Sequence, residues 1–297
     1  MVCMKKRSAM SGVLVLGLGI LLTGCSSPSQ SAAKSPQSAA AVHRTTSPSS
    51  HKQTTHKTLS GSAVTFSPVI NRAMNILSVS SLPKTPLYAP TVAPIPYSPD
   101  RRNVSAFVSK SKTGKDVVGY TVNLYWLANN VPVNSPELLN RYPTSVYAGF
   151  SGMAYASSVM ATDRVFLSAG NRSLPVRGNA IDLGNGIMGI VFHIPAKNGS
   201  LEDAVIEWRE GRWNMQVHHY NSQVPLVSLA REMVAYLHTA FLPAPDSRGA
   251  INVASEGPAY TYTKVAWTKS NNLYQVFNNV NAIDALRMAV SMRLFTK

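Results

Sequence analysis

Two stretches near the C-terminus share one layout, which constrains the fold more than any other feature of the chain. Trp208 lies in the first and Trp267 in the second, and each tryptophan is followed after seven residues by Gln-Val. In both, strand-like segments surround a central turn and an amphipathic helix follows. The pattern predicts a strand–strand–strand–helix unit over residues 187–241 and again over 250–297.

This repeated unit predicts the fold class. Two such units joined edge to edge form an antiparallel sheet with helices packed on one of its faces, so we assign 101–297 to an α+β domain. A meander followed by a helix is a common arrangement, so chance similarity remains an alternative to duplication. Further upstream, a strand is predicted at Arg164–Ser168, where the three central residues are apolar.

The N-terminus has the three parts of an export signal. The basic cluster Lys5-Lys6-Arg7 precedes an apolar run over 12–22, and small residues follow it. The run is about half the ~20 apolar residues that a membrane-spanning helix needs. Residues 1–24 are therefore predicted to be a signal peptide rather than a membrane span.

The sequence Leu22-Thr23-Gly24-Cys25 resembles the lipobox of bacterial lipoproteins. The resemblance covers residues 1–25 and implies cleavage between Gly24 and Cys25. It also implies that Cys25 carries a diacylglycerol on its sulfur and a further fatty acyl chain, such as palmitate, on its amine. Two acyl chains on one residue hold a protein firmly to a membrane, so we expect a cell-membrane protein that faces away from the cytoplasm.

The segments between the signal and the α+β domain differ in composition, and the folded core is expected to begin between about residues 61 and 66. Residues 25–60 begin with the lipidated Cys25 and continue as a Ser/Ala/Thr-rich stretch, which predicts a disordered tether. Residues 61–100 are expected to hold a helix that starts at Ser67-Pro68. Six prolines from Pro83 to Pro99 predict an extended segment without regular pairing.

The charge of the chain indicates its partners. Lys and Arg number 28 against 13 Asp and Glu, a formal net charge of +15, which falls to +12 once residues 1–24 are removed. Besides the membrane reached through Cys25, such a chain suits anionic wall polymers or another envelope protein. No tight Lys/Arg cluster with interleaved aromatics occurs, so we expect no nucleic-acid partner. The scarcity of carboxylates predicts tolerance of an acidic exterior.

The motifs that suggest chemistry have structural interpretations. Gly184-Asn185-Gly186-Ile187-Met188-Gly189 matches a dinucleotide motif, but strand-like residues follow it, and Asn-Gly favours a hairpin turn. His218 and His219 are adjacent on a predicted strand and point to opposite faces, so they and His193 do not suggest a metal site. We assign no catalytic residue, no metal and no cofactor.

Aromatic residues gather on the predicted repeat strands, and two interpretations of them remain open. They form the core, or some of them form an exposed surface for sugars or lipids; the candidates are Trp208, Trp213, Trp267 and Tyr274. Trp213 has no aromatic counterpart at Asn272 and is expected to matter less than Trp208 or Trp267. We predict a lipid-anchored, non-enzymatic binding or accessory protein of the envelope. The alternative is a cell-surface hydrolase that acts on wall material.

Overall fold

The computed structural model describes residues 64–79, 83–95, 100–194, 203–219, 226–257 and 260–296. The helices there are α1 (Pro68–Val79), α2 (Glu137–Arg141), α3 (Ser158–Ala169), α4 (Leu226–Leu237) and α5 (Ala282–Val290). The strands are β1 (Tyr88–Pro90), β2 (Asn103–Thr113), β3 (Asp116–Leu127), β4 (Val146–Ala154), β5 (Asn179–Gly184), β6 (Ile187–Ile194), β7 (Asp203–Glu210), β8 (Trp213–His219), β9 (Gly249–Gly257), β10 (Tyr260–Lys269), β11 (Asn272–Asn278) and β12 (Met292–Leu294). The predicted signal peptide 1–24, Cys25 and the tether 25–60 lie outside the described residues.

Ten of these strands form one open sheet in the order β2-β3-β4-β11-β10-β9-β8-β7-β6-β5. Neighbouring strands are antiparallel except for β8 and β9, which are parallel. Because β8 and β9 are consecutive strands, helix α4 is the crossover between them. The protein is therefore a mixed α+β fold built on a large, mostly antiparallel sheet, as predicted.

Each of the two predicted units begins with the order strand–strand–strand–helix, and the second ends in an additional strand, β12. The first contains β6, β7, β8 and α4, and the second contains β9, β10, β11 and α5. The parallel β8–β9 pair joins the two meanders edge to edge.

Helices cover both faces of the sheet. We call the face that carries Trp208 and Trp267 the aromatic face; α1, α4 and α5 pack into its core. We call the opposite face, which carries Gln216 and Gln275, the amide face, and there α3 packs on β9, β10 and β11. The prediction that the helices share one face is wrong for α3, because Ala250 and its neighbours on the amide face are also apolar and need cover.

The predicted strand at Arg164–Ser168 is wrong, since these residues lie within helix α3. Ser157 caps the helix by accepting a hydrogen bond from the Met160 N–H at 3.2 Å, and Gly170 ends it with a left-handed φ of 86°. The residues that α3 buries recur every four positions: Ala161, Val165 and Ala169. Both helix ends and this spacing outweigh the strand preference of a short apolar run.

The N-terminal segment belongs to the same folded body. Helix α1 begins at Pro68 as predicted and buries one face. The proline-rich segment is not free of regular pairing, because Tyr88 of β1 pairs antiparallel with Leu294 of β12. Pro90 ends this short strand, where the N–H that proline lacks is not needed.

The Asn185-Gly186 turn joins β5 to β6 as a hairpin. Both residues have positive φ, 52° and 77°, which is the geometry of a type I′ turn. Strand β6 follows directly, so no helix N-terminus faces a pyrophosphate site at this motif.

Candidate functional site

The four aromatic residues singled out as a candidate surface are buried. Their exposed fractions are 2% for Trp208, 7% for Trp213, 2% for Trp267 and 1% for Tyr274. None of these rings is available to a sugar or a lipid at the surface, so the expectation of an exposed aromatic platform does not hold. They belong to the core between the sheet and its helices.

Strand register explains how so many large rings fit on one face. Gly249 lies opposite both Trp213 and Trp267, and the Trp267 ring is 5.9 Å from that of its partner Tyr274. A Cβ on Gly249 would lie 2.4 Å from the Trp213 ring, so only glycine leaves room for it. The buried hydroxyl of Tyr274 also has a hydrogen-bond partner, because it donates to the Pro86 carbonyl at 3.1 Å.

A cavity of ligand size lies between the proline-rich segment and helix α5. We call residues Val92–Ile95 the strap and this cavity the strap groove, which measures about 670 Å³. This volume falls within the roughly 300–1,000 Å³ of small-molecule sites. Its walls are Val92, Ala93, Pro94, Ile95, Tyr236, Asp284, Arg287, Met288, Val290 and Ser291.

Two hydrogen bonds hold the strap and the residue before it in place, one to strand β4 and one to the end of α5. The Tyr147 hydroxyl donates to the Pro94 carbonyl at 3.2 Å. The Thr91 N–H donates to the carbonyl of Ser291, just after α5, at 3.1 Å. The proline-rich wall is therefore attached both to the sheet, at Tyr147, and to the end of α5, at Ser291, so the groove is a preformed feature.

The polar groups of the groove are few and already paired. Asn281 caps α5 by accepting from the N–H groups of Ile283 and Asp284, as the sequence predicts. The Asp284 carboxylate is 5% exposed and accepts from Arg287 Nη1 at 3.0 Å. Burial raises the pKa of the Tyr236 hydroxyl above its ordinary value, which already lies well above neutral pH, so this group does not supply a charge to the groove.

This arrangement suits binding better than acid–base chemistry. Hydrolysis of wall material needs two titratable groups that converge on a substrate bond. Asp284 is the single carboxylate among the described groove residues, and Arg287 neutralises it; no histidine lines the groove. The apolar walls instead offer a place for the apolar body of a ligand.

A second polar cluster lies buried on the amide face around Gln216. Its side-chain Nε2 donates to Glu207 at 2.8 Å and to the Arg172 carbonyl at 3.0 Å, while its Oε1 accepts from the Arg172 N–H at 2.8 Å. The His218 ring lies 3.1 Å from the same Oε1. The Gln216 amide thus pairs with the chain after α3 as a strand backbone would, which is a structural role.

His218 is neutral in this setting. Its exposed fraction is 1%, and burial together with the nearby positive charge of Arg172 lowers its pKa to about 4, against the hydrogen bond to Asn252 that raises it. The neighbouring His219 points to the other face, as expected for adjacent strand residues. Among the described residues, no group of three His, Cys, Asp or Glu side chains converges on a point.

Sequence reasoning missed the strap groove, although it located one of its borders. The near capping box at Asn281 and Asp284 predicts where α5 begins. Nothing in the local sequence indicates that the strap packs against α5, because that contact depends on the pairing of β1 with β12.

The chain matches no protein-family model, no curated protein and no solved structure. In the described part of the chain, no helix combines the length and apolar character needed to cross a membrane.

Proposed function

We propose that the protein is a lipid-anchored, extracytoplasmic binding protein without catalytic activity, and that the strap groove holds the apolar body of a small ligand. The observation that carries this proposal is the groove itself: about 670 Å³ of preformed, mostly apolar space with one neutralised carboxylate. Its shape supports binding, and its lack of a free acid–base pair argues against the wall hydrolase.

The location rests on the resemblance of Leu22-Thr23-Gly24-Cys25 to a lipobox. In this proposal Cys25 fixes the chain to the outer side of the membrane, and residues 26–60 place the folded body some distance away. A flexible coil of that length spans about 30 Å. The partner or ligand therefore lies in the space just beyond the membrane.

Anchoring is tested by metabolic labelling with a radioactive fatty acid. The natural chain should incorporate label, and Cys25→Ala should abolish both label and processing. A Ser26→Ala chain, with its cysteine intact, is the matched control and should be labelled normally. Label retained on Cys25→Ala would refute the lipobox interpretation.

Binding in the groove is tested with the uncharged fluorescent dye Nile red on unlipidated Cys25→Ala protein. Val92 lines the groove and is 44% exposed, so Val92→Trp fills the groove without disturbing the core. Saturable dye binding should weaken at least tenfold in this variant. Val159→Trp on α3, where the natural residue is 66% exposed, is the control and should bind as the parent does. Equal binding by both variants would overturn the groove as the site.

We further propose that residues 187–241 and 250–297 arose by duplication. Trp208 pairs with Met215 and Trp267 with Tyr274, so the glutamine of each motif follows at the same register position. Both glutamines also act alike, since Gln275 donates to the Ser168 carbonyl at 2.9 Å as Gln216 donates to that of Arg172. An experimental structure in which the two units fail to superpose would contradict the proposal.

A further inference from the structure

A pocket of about 290 Å³ lies where the β7–β8 turn meets the start of β9, and three arginines line it: Arg209, Arg212 and Arg248. We infer that this arginine pocket binds the phosphate group of an anionic phosphodiester polymer. The inference rests on the extracytoplasmic location proposed above, because wall polymers of that chemistry lie there. It concerns a different site from the strap groove.

The fold, rather than the local sequence, assembles the pocket. Arg209 lies near the end of β7 and Arg212 in the turn that follows, whereas Arg248 comes after the α4 crossover. The parallel pairing of β8 with β9 brings the last two together, since the Gly249 N–H donates to the Arg212 carbonyl at 3.0 Å. The β7–β8 hairpin and the segment before β9 therefore place three arginines around one volume.

Two of the arginines are held in position by their own contacts. Arg212 Nη1 donates to the carbonyls of Pro245 and Asp246 at 3.1 and 2.6 Å. The Arg248 guanidinium lies 5.1 Å from the centre of the Phe166 ring, within the range of a cation–π contact. Because these side chains are already ordered, an anion that binds them loses less affinity to side-chain ordering.

The nearby carboxylates are occupied elsewhere. Glu207 accepts from Gln216 at 2.8 Å, and Glu210 accepts from the Trp208 indole at 2.9 Å. The Asp246 carboxylate accepts from the Ser270 N–H at 2.5 Å. No carboxylate appears among the described lining residues, and none of the three arginines forms an ion pair within the described part of the chain.

Charge and geometry together select the ligand class. Three like charges around one volume repel each other unless an anion enters, and the planar fork of arginine matches phosphate oxygens in a bidentate way. All three arginines are exposed, so the pocket is open to solvent and admits a phosphate with substituents on two sides. The processed chain, with a net charge of +12 after removal of residues 1–24, also attracts polyanions from a distance.

The test uses the full lipidated protein in uncharged detergent micelles and measures binding by titration calorimetry. The probes are poly(glycerol phosphate), inorganic phosphate and polyglutamate. Poly(glycerol phosphate) should bind at least tenfold more tightly than polyglutamate of equal charge. Inorganic phosphate should compete for the same site with lower affinity. Tighter binding of inorganic phosphate than of the polymer would overturn the assignment to a polymer.

Variants separate the pocket from general charge. Arg209→Gln removes a side chain that forms no ion pair within the described part of the chain, and Arg209→Gln/Arg248→Gln should weaken polymer binding at least tenfold. The matched control, Lys112→Gln/Lys115→Gln, removes the same charge from exposed sites at the β2–β3 hairpin and should bind nearly as the parent does. Equal loss in both double variants would overturn the pocket.

Two further measurements keep failure of this inference distinct from failure of the proposed function. Thermal melts of Arg209→Gln and of both double variants should match the parent, which shows that any loss of polymer binding is not unfolding. Nile red binding in the strap groove should be unchanged in the unlipidated arginine variants, since the two sites share no described lining residue. If Val92→Trp also lost polymer binding, the claim that the arginine pocket is separate from the strap groove would be overturned.

Discussion

The two strand–strand–strand–helix units have the same element order but differ in how completely they are enclosed. Helix α5 of the second unit buries seven of its nine residues, whereas α4 of the first buries four of twelve. Strands of the second unit also carry α3 on the amide face, while Met188 and Ile190 on that face of β6 are 57% and 45% exposed. The local pattern sets the elements, and position in the sheet, central or near the edge, sets the burial.

The largest expected effect comes from the tryptophans. Truncation of a buried tryptophan costs about 3–5 kcal/mol of unfolding free energy, and Trp267→Ala should lie at the top of that range. Trp267 contacts the rings of both Trp213 and Tyr274, whereas Trp208 lies nearer the sheet edge and should cost less. Urea unfolding of the two variants measures the difference. A larger loss for Trp208→Ala would contradict the comparison.

The packing of Trp213 raises the stability loss expected when this residue is truncated. The sequence predicts that Trp213 matters less than Trp208 or Trp267, because Asn272 occupies the corresponding place in the second unit. Its ring instead packs on Gly249 and lies 6.4 Å from Trp267. Trp213→Ala should therefore also cost about 3 kcal/mol in the same urea measurement. A cost below about 1 kcal/mol would restore the earlier expectation.

Acid should distinguish the units next, through His218 and its counterpart Phe277, which is not titratable. The His218 pKa of about 4 lies below the unfolded value of 6.5, so the folded state resists protonation. Its contribution is present above pH 6.5 and is lost as pH falls to 4, by about 3 kcal/mol. His218→Phe should reduce the pH dependence of the unfolding free energy between pH 6.5 and 4. Urea titrations at several pH values measure this dependence. An unchanged slope would refute this role and restore the expectation of simple acid tolerance.

The smallest effect expected is that of the two motif glutamines, and here the first unit is the more sensitive. Gln216 bonds both the N–H and the carbonyl of Arg172 as well as Glu207, whereas Gln275 contributes one bond to Ser168. Gln216→Leu should cost about 2 kcal/mol and Gln275→Leu about 1 kcal/mol. Amide hydrogen exchange at Arg172 should rise in the first variant only. Equal exchange in both would remove the distinction.

Local sequence signals were sufficient to predict an element when the residues that begin or end it lie within or next to it. Ser67-Pro68 and the face of Val69, Ile70, Ala73, Met74 and Leu77 predicted α1, and Asn185-Gly186 predicted the hairpin. Helix α3 was not predicted, because the short apolar run in its C-terminal half favours a strand, whereas its helix signals, Ser157 and Gly170, lie at the ends. Helix caps are local sequence signals, so the sequence alone was sufficient to predict α3.

Both candidate ligand sites depend on contacts that local patterns do not contain. The strap groove needs Tyr88 to pair with Leu294, and the arginine pocket needs Trp213 to lie beside Gly249 across the parallel junction. Each pairing joins residues distant in sequence, so no propensity or spacing indicates it. The aromatic surface was wrong for the related reason that glycines on neighbouring strands made room to bury the rings.

The position of β4 has a consequence for when the protein finishes folding. Phe150 of β4 pairs with Val122 on one side and with Val276, near the far end of the chain, on the other. On the proposed export route the N-terminal strands emerge first, and until β11 follows, one side of β4 exposes unpaired N–H and C=O groups. Such open edges are where incompletely folded chains associate. On that route the sheet is therefore complete on this side of β4 only after β11 of the C-terminal unit has emerged.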